Sequence, residues 1–503
     1  MVKSGLASPL FLCKYPQENI TIQRVVAKQA DTLQQTARIR LAAGKGRSMR
    51  RKEEIEAYAE NLFLPITQKH GFELVDVEYV REVGVWYLRC YIDKEGGIAV
   101  DDCEVVSREA DPILDTDDCI EESYILEQRR WLHAHPELGT KEYKTTEHIV
   151  NELKSFGIEV QVFDDITGCV GIIRGKQPGR TVMLRADIDA LPIQEENNCG
   201  FCSQNDGVMH ACGHDCHTAM LLAAGKMLAA NNKQLHGTVK LLFQMAEEIG
   251  TESRHYVEKG CLDDVDAVFG QHVWALMDSG TVNFEDGERM ACSDRFTITV
   301  TGKTAPADKP QQGSDAVLAA AAVVMALQSL VSRVNNPENT LVVTTGMMNG
   351  GSGEDVVADK AQLVGTVRTF NKAFRNGMPQ LIEETAKKAA AVYGCEITST
   401  YFFGPAPLIN EHCEINAIAR NAAVKIMGED ALCHLDKMTG AEDFSVFMEK
   451  TKGVYGFIGV RNLAKGLNCV HHHPKFAVDE DQLKYGAGIY AQFAYDYLNS
   501  DAK

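Results

Sequence analysis

Several things are missing from this chain. Basic residues are in deficit: 51 Lys and Arg stand against 70 Asp and Glu, a formal charge of −19. That excludes a general nucleic-acid binder, which needs a basic footprint, and direct DNA binding is not expected. No apolar run approaches the length of a membrane span, so no membrane association is expected. The N-terminal text "SGLASPLFLCKYP" is too short and too broken by prolines for a secretory signal. The 15 cysteines show no framework spacing. In so long a chain that points to reduced thiols and a cytoplasmic setting rather than to disulfides. What remains is a folded composition, 45% apolar and 24% charged, over 503 residues, enough for two to four domains.

Three zones follow one another. Residues 1–52 hold 11 basic and 2 acidic side chains with weak apolar periodicity. Residues 1–48 read as a disordered basic leader. A transit peptide, or translation starting at Met49, are the alternatives. Residues 50–127 carry 21 acidic and 8 basic side chains, which favours a protein partner over bare RNA. In "RKEEIEAYAENLFLPITQKHG" the residues Ile55, Tyr58, Ala59, Leu62 and Ile66 recur at helical spacing, and Gly71 is the stop. "FELVDVEYVRE" and "VWYLRCYIDKEGG" alternate as half-buried strands do, and "AVDDCEVVSREADPILD" predicts a second helix capped near Asp101 or Asp102. Residues 49–127 are thus a small α+β unit. From residue 128 on, strands such as "TVMLRADIDAL" and "GTVKLLFQMAEE" alternate with apolar-faced helices such as "CHTAMLLAAGKMLAA". That order implies an α/β sheet whose ligands sit at the carboxyl ends of its strands.

Four clusters in the third zone carry metal-ligand chemistry: Cys212 with His214, Glu247 with Glu248, His272 in "GQHVW", and the histidines of "HHHPKF" from His471. Thiolate, imidazole and carboxylate together suit zinc or a similar borderline metal. Cys212 and His214, two apart, would share a side in an extended segment. Glu247 and Glu248 are adjacent and diverge, so one can bind metal while the other serves as a base. A Cys212–His214 nucleophile pair is a competing design, but it leaves the two glutamates without a purpose.

The N-terminal zone resembles the N-terminal domain of the ribosome maturation factor RimP, through "HGFELVDVEYVRE", "WYLRCYIDKEGGIAVDDCEVVSRE" and "IEESYILE". The resemblance implies contact with the small ribosomal subunit through residues 49–127. The family's following "VSSPGLDRPL" segment and barrel domain are absent, and the text switches at Glu127–Gln128 without a Pro/Gly/Ser-rich linker. That switch also fits two genes joined together.

Residues 128–500 resemble the amidohydrolase branch of the M20 metallopeptidases, through "RRWLHAHPELG", "LRADIDALPIQEE", "GVMHACGHDCHTAMLL", "FQMAEE", "VDAVFGQHVW", "GTVRTF", "GAEDFS" and "HHHPKFAVDED". The resemblance implies an α/β catalytic domain over 128–292 and 405–503, with an inserted α+β lid and dimerisation domain over 293–404. It implies two divalent ions per subunit, zinc or manganese, with cobalt or nickel as further options. Cys212 would bridge them, and His214, Glu248, His272 and His472 would complete the ligands. His472 is chosen over its neighbours because the family pattern is His-x-Pro. Glu247 would be the general base and Asp189 the residue that orients the site. The implied substrate is an N-acyl amino acid, and the implied assembly a homodimer through the lid.

Two positions depart from the family. Pro306 stands where it has a substrate-holding histidine, and Asp355 where it has asparagine, which would disfavour an anionic substrate group. Arg368 in "GTVRTF" is retained as a candidate for gripping a substrate carboxylate. Within "MHACGHDCH", His210 and Asp215 read as supports for the ligating imidazoles, and Cys216 and His217 as structural starts of the next helix.

Overall fold

The computed structural model describes residues 122–500 continuously. Ahead of them it describes 36–41, 60, 63–82, 85–94 and a few single positions. The rest of the leader, and most of the two N-terminal helices expected above, lie outside the described residues. The described residues divide into two compact units, one up to Glu127 together with Lys226–Asn231, the other Gln128–Gly225 with Asn232 onward.

In the first unit, the two expected strands are β2 (Glu73–Glu82) and β3 (Val85–Asp93), and they pair antiparallel. A helical turn over 63–69 buries Phe63 and Ile66 and stops at Gly71, whose φ of 72° is left-handed backbone that glycine adopts freely. One expectation is corrected. Thr36–Leu41, inside the supposed disordered leader, is a strand (β1) paired antiparallel to β3. Its "TARIRL" text alternates, and β3 would otherwise present a free edge. A single helix, α1 (Glu122–Ala134), runs through the Glu127–Gln128 junction.

The second unit holds two cores. The first is built on a seven-stranded sheet. Its strands are β4 (Glu159–Val162), β5 (Cys169–Arg174), β6 (Gln177–Asp187), β7 (His236–Gln244), β8 (Ala267–Asp278), β9 (Val282–Asn283) and β18 (Lys452–Arg461), in the order β4-β5-β7-β6-β8-β18-β9. The four central strands run parallel and the outer ones antiparallel. Parallel strands buried on both faces read as continuous apolar runs. Accordingly, Thr181–Asp187 of β6 is buried throughout. Helices α2 (Tyr143–Ser155), α3 (His214–Ala230), α6 (Cys413–Met427) and α7 (Leu483–Asn499) belong to this part. Met183, Leu242, Val268, Phe444, Tyr455 and Phe457 form its apolar centre.

The second core lies between Asp294 and Phe402. Strands β11 (Asp294–Thr301), β13 (Leu341–Gly350), β15 (Lys360–Thr369) and β16 (Glu396–Phe402) form an antiparallel sheet ordered β13-β15-β11-β16. Helices α4 (Ala316–Ser329) and α5 (Lys372–Ala391) pack on it. "DRFTITVT" alternates, and it buries Phe296, Ile298 and Val300 against Ala319, Val323, Ile382 and Ala386. Short ribbons pair β10 (Gly287–Met290) with β17 (Leu408–Asn410) and β12 (Ala305–Pro306) with β14 (Val356–Val357).

Two absences inferred from the sequence need correcting. Ala316–Val334 is long and apolar enough to cross a membrane by length and composition. One of its faces (Ala316, Ala319, Ala320, Val323, Leu327, Leu330) packs into this second core, while Leu318 and Met325 are exposed, so burial against the sheet accounts for only part of that apolarity. The cysteines are not all free either, since Cys199 and Cys202 are paired as a disulfide.

The chain enters and leaves the second core at one buried carboxylate. Asp294 accepts from Arg375 (2.7 Å), the Tyr401 hydroxyl (2.8 Å) and the Gly404 N–H (3.1 Å). Arg375 also donates to the Gly404 carbonyl at 2.8 Å. Asp294→Ala leaves a buried guanidinium without its carboxylate. The expected cost is about 3–5 kcal/mol of unfolding free energy, read by urea titration, and a loss below about 1 kcal/mol would refute this role.

Candidate metal centre

The centre forms where three parallel strands end. Just beyond β6 lies Asp189, and beyond β7 lie Glu247 and Glu248. His272 lies on β8, close to the register of Asp187 at the end of β6 (Arg185 pairs with Gly270). The fourth contribution is the turn before α3. Cys212 and His214 do not sit on an extended segment as expected. Gly213 between them has φ 91°, and a Cβ there would lie 2.5 Å from Val273 Cγ2. A left-handed glycine, not strand alternation, turns the thiol and the imidazole to the same side. His214 is already the first residue of α3.

The donors converge. Cys212, His214 and His272 have donor atoms within 4.8 Å of one another, as do Cys212, Glu248 and His472, and as do His214, Glu247 and Glu248. Cys212 therefore belongs to two of the triads. Its Sγ lies 3.5 Å from His272 Nε2, and Glu248 Oε1 lies 3.2 Å from His472 Nε2 and 4.0 Å from His214 Nε2. Of the three consecutive histidines only His472 points at these donors. His471 Nε2 faces the Val273 carbonyl at 2.9 Å, and His473 Nδ1 accepts from the Lys475 N–H at 3.0 Å. His472 reaches its place in left-handed backbone, φ 64°, with its N–H bound to the Ala211 carbonyl at 2.8 Å.

Two of the imidazoles have their tautomers set from behind. His214 Nδ1 donates to Asp189 Oδ1 at 3.1 Å, which leaves Nε2 as a lone pair. His272 Nδ1 donates to the Val273 carbonyl at 2.6 Å, so its Nε2 faces Cys212 with a lone pair. Asp189 Oδ2 also accepts from the Glu248 N–H at 3.1 Å, so one carboxylate positions two of the donor residues.

The site carries excess buried negative charge. Burial raises the Cys212 thiol far above its ordinary value, and Glu248, Glu247 and Asp187 push it further. Burial also holds Glu247 well up, with Glu442, Glu248 and Asp443 adding to it. For His214 burial acts the other way, but Asp187, Asp189 and Glu248 outweigh it and lift the imidazole to about 10. His214 Nε2 is buried without a hydrogen-bond partner and faces Glu248 Oε1 at 4.0 Å. Donors facing one another, with protons as the only compensation, fit a divalent cation. The mixed sulfur, nitrogen and oxygen set suits a borderline divalent metal.

Other predicted residues fall as follows. Arg368 lines a cavity of about 770 Å³ together with Cys212, Glu247, Glu248 and His472, and it makes no ion pair among the described residues. Pro306 and Asp355 are exposed and do not line that cavity. They share the β12–β14 ribbon, where the Ala307 N–H donates to the Asp355 carbonyl at 2.9 Å. The supporting roles of Asp215 and His210 are corrected. Asp215 Oδ2 binds Arg129 Nε (2.9 Å) and His133 Nδ1 (2.8 Å), because the first turn of α3 aims it away from the donors. Both ring nitrogens of His210 are buried without partners.

The sequence reading missed three supports. Asp187 Oδ1 accepts from His217 Nδ1 at 2.5 Å, and His217 Nε2 accepts from the Val273 N–H at 2.9 Å, so His217 ties β6 to β8. Arg185, fully buried, binds Asp187 (2.7 Å), Glu442 (3.0 Å) and Asp443 (3.1 Å) beneath the site. The "RAD" and "GAED" texts held the signal, a cation and carboxylates inside apolar strand ends. Glu142 is the third. Its Oε1 accepts from the Ala246 N–H at 2.8 Å, where φ is 54°, and its Oε2 from Thr167 at 2.5 Å. It thereby fixes the left-handed turn that presents Glu247.

A family model for peptidase family M20/M25/M40 matches residues 183–496, and one for the RimP N-terminal domain matches residues 62–128. The chain is 38% identical over 359 residues to an N-acetyl-L-cysteine deacetylase of Bacillus subtilis, covering 71% of this chain and 84% of that protein. To the IAA-amino acid hydrolase ILR1-like 4 of Arabidopsis thaliana it is 36% identical, covering 74% and 84%. The crystal structure of the Bacillus subtilis YXEP protein, described as a dinuclear metal binding peptidase from the M20 family, superposes with a TM-score of 0.67 at 33% identity, covering 76% of this chain and 99% of that one. The chain belongs to the peptidase M20/M25/M40 family, and it is a metal-dependent hydrolase of the M20 type with a RimP N-terminal domain ahead of it.

Two predictions follow from this geometry. Asp189→Asn keeps the shape but cannot accept from both His214 and Glu248. Zinc affinity, measured by chelator competition, is expected to fall about 10- to 100-fold, and unchanged affinity would remove Asp189 from its orienting role. Burial, with Asp189 adding, lifts the Glu142 carboxyl from 4.5 to about 7. Between those values the folded chain holds a proton that the unfolded chain has lost, so this group's contribution to stability falls as pH rises through that window. Glu142→Gln, which can keep both hydrogen bonds, should therefore gain stability relative to the wild type between about pH 5 and 8 in urea titrations. A difference that does not change with pH would contradict this.

Proposed function

We propose that the protein hydrolyses the amide bond of N-acyl amino acids with an activated water. The observation that carries this reading is the pair of donor triads sharing Cys212, set in a cavity that also holds Glu247 and the unpaired Arg368. The named activities of the N-acetyl-L-cysteine deacetylase and the IAA-amino acid hydrolase support the substrate class.

Cys212, His214, Glu248, His272 and His472 would hold two divalent cations, with Cys212 common to both. Bound there, the cations supply Lewis acidity to the water and to the scissile carbonyl. Glu247 takes the proton of the attacking water and then delivers it to the leaving amine, so a carboxylic acid and a free amino acid depart. Its buried surroundings, rich in Glu442, Glu248 and Asp443, favour a carboxyl that keeps a proton between those two transfers. Arg368 receives the carboxylate of the amino-acid half. A guanidinium without an internal partner at the cavity wall suits that task.

Pro306 supplies neither a side-chain donor nor an N–H. An oxyanion donor missing at that position would cost about 2.7–4 kcal/mol of transition-state stabilisation, so rates below those of relatives that keep the histidine belong to this proposal. The exposed Leu318 and Met325 of α4 and Met348 of β13, an edge strand, support a homodimer through the second core. Contact with the small ribosomal subunit, the other expectation, rests on residues 62–128 alone.

The test is a panel of N-acetyl, hippuryl and indole-acyl amino acids with the zinc- and manganese-loaded chain. Glu247→Gln is expected to lower the rate at least about 100-fold while metal content stays unchanged. Hydrolysis that survives the substitution would overturn the assigned base, and no hydrolysis by the wild type on any panel member would overturn the substrate class.

A further inference from the structure

The segment "ENNCGFCS", Glu195–Ser203, takes no part in the chemistry above and has no regular secondary structure. Its shape depends on tethers. Glu195 Oε1 accepts from Asn197 Nδ2 at 3.0 Å and lies 3.1 Å from His133 Nε2, while its Oε2 accepts from the Ser203 N–H at 2.6 Å. Cys199 and Cys202 close the middle of the segment as a disulfide, with Cα atoms 5.4 Å apart, inside the range such bonds require. The Cys199 N–H points at Cys202 Sγ from 2.9 Å. The other described cysteines are free thiols, so this pair stands apart in a Cys-x-x-Cys spacing.

Two further features give the pair a use. Cys199 lines a cavity of about 400 Å³ with His133, Glu195, Phe201 and Lys465, wide enough for a small thiol compound to reach its sulfur. The same segment also holds the loop after His472 by two bonds. The Glu196 N–H donates to the Pro474 carbonyl at 2.9 Å, and Asn197 Nδ2 donates to the Phe476 carbonyl at 3.0 Å. Asn197 is two residues from Cys199, so the ring closes beside the residues that anchor residues 474–476.

We propose that Cys199 and Cys202 are a reversible thiol–disulfide exchange site for low-molecular-weight disulfides, and that the closed form fixes the loop carrying His472. The Cys199 thiolate attacks one sulfur of the small disulfide and releases one small thiolate. The Cys202 thiolate then attacks the Cys199 sulfur of the mixed disulfide and releases the second. Two protein thiols and one small disulfide become one protein disulfide and two small thiols. The protein loses two electrons, the small disulfide gains them, and both protons leave with the small thiols. The effect on a metal ligand rests on the assignment of His472 made above, whereas the exchange itself does not.

The experiment equilibrates the full chain with oxidised or with reduced glutathione. It reads cysteine alkylation by mass spectrometry and amide hydrogen exchange over residues 470–476. Expected are label on both Cys199 and Cys202 in the reduced sample, an unlabelled Cys199–Cys202 crosslink in the oxidised one, full reversal between them, and exchange at 470–476 about tenfold faster when reduced. The Cys199→Ser/Cys202→Ser double variant should show the fast exchange under both conditions. The wild-type comparison stands whether or not that variant folds. Label at Cys199 and Cys202 that persists under oxidised glutathione, a mixed disulfide that persists at Cys199, or equal exchange at 470–476 in the two states would each overturn the proposal. None of these readouts uses hydrolysis, so an inactive chain that still exchanges thiols would overturn only the earlier reading.

Discussion

Buried negative charge at the carboxyl ends of β6, β7 and β8 is the constraint on which the rest of this protein depends. Asp187, Asp189, Glu442 and Asp443 are buried there, and the partly exposed Glu247, Glu248 and Cys212 line the cavity beside them. Arg185 is the one permanent cation in direct contact with this group among the described residues, and it is already shared among Asp187, Glu442 and Asp443. That leaves Asp189, Glu247, Glu248 and Cys212 facing imidazoles and protons. Isolated buried charges are too costly to persist. A fold that keeps so many together is one whose stable form includes added positive charge. The sheet order follows from the same need, because only parallel strands bring so many carboxyl-end turns to one place.

Holding such a cluster in one arrangement falls to the backbone. Ala246 and His472 occupy left-handed conformations without being glycine, and each neighbours or is a metal-site residue. Such conformations cost about 1–3 kcal/mol apiece and persist only where surrounding bonds enforce them. Glu142 enforces the first through the Ala246 N–H, and Ala211 the second through the His472 N–H. The second bond comes from the residue next to Cys212, so the turn that supplies the shared thiol also seats a ligand about 260 residues away in the chain.

The sequence made part of this legible. Strand ends are readable because buried parallel strands are apolar runs, and the residues just past them stand out as polar. Glu247 and Glu248, just past β7, are legible in this way, whereas His272 lies inside β8. Alternation in "DRFTITVT" likewise announced the second sheet. Other features were hidden for identifiable reasons. The turn at Gly213 looked like two residues of strand, because a left-handed glycine and an extended residue leave the same i, i+2 spacing. Asp215 looked like a support for His214 because adjacency in sequence says nothing of which way a helix's first turn aims. Asp189 does that work from another strand. The Arg185 cluster joins residues more than 250 positions apart, and its members read individually as exposed charge. The Cys199–Cys202 pair was dismissed with the other cysteines because a count over the whole chain overrode a local spacing.

Pro306 and Asp355 gain meaning from their location. They are departures from the family at positions 49 residues apart, yet β12 and β14 place them on one ribbon, joined by the Ala307–Asp355 backbone bond. Two independent losses would have no reason to fall on touching strands. Proline in a two-stranded ribbon also has a structural consequence, because it lacks the N–H that another residue would offer to a pairing strand. The ribbon therefore has one fewer donor and one more acid than the family pattern, and neither change reaches the cavity of its own chain. The donors around Cys212 and the unpaired Arg368 stay unaltered in composition. The alteration is thus confined to what the second core would present outside its own cavity.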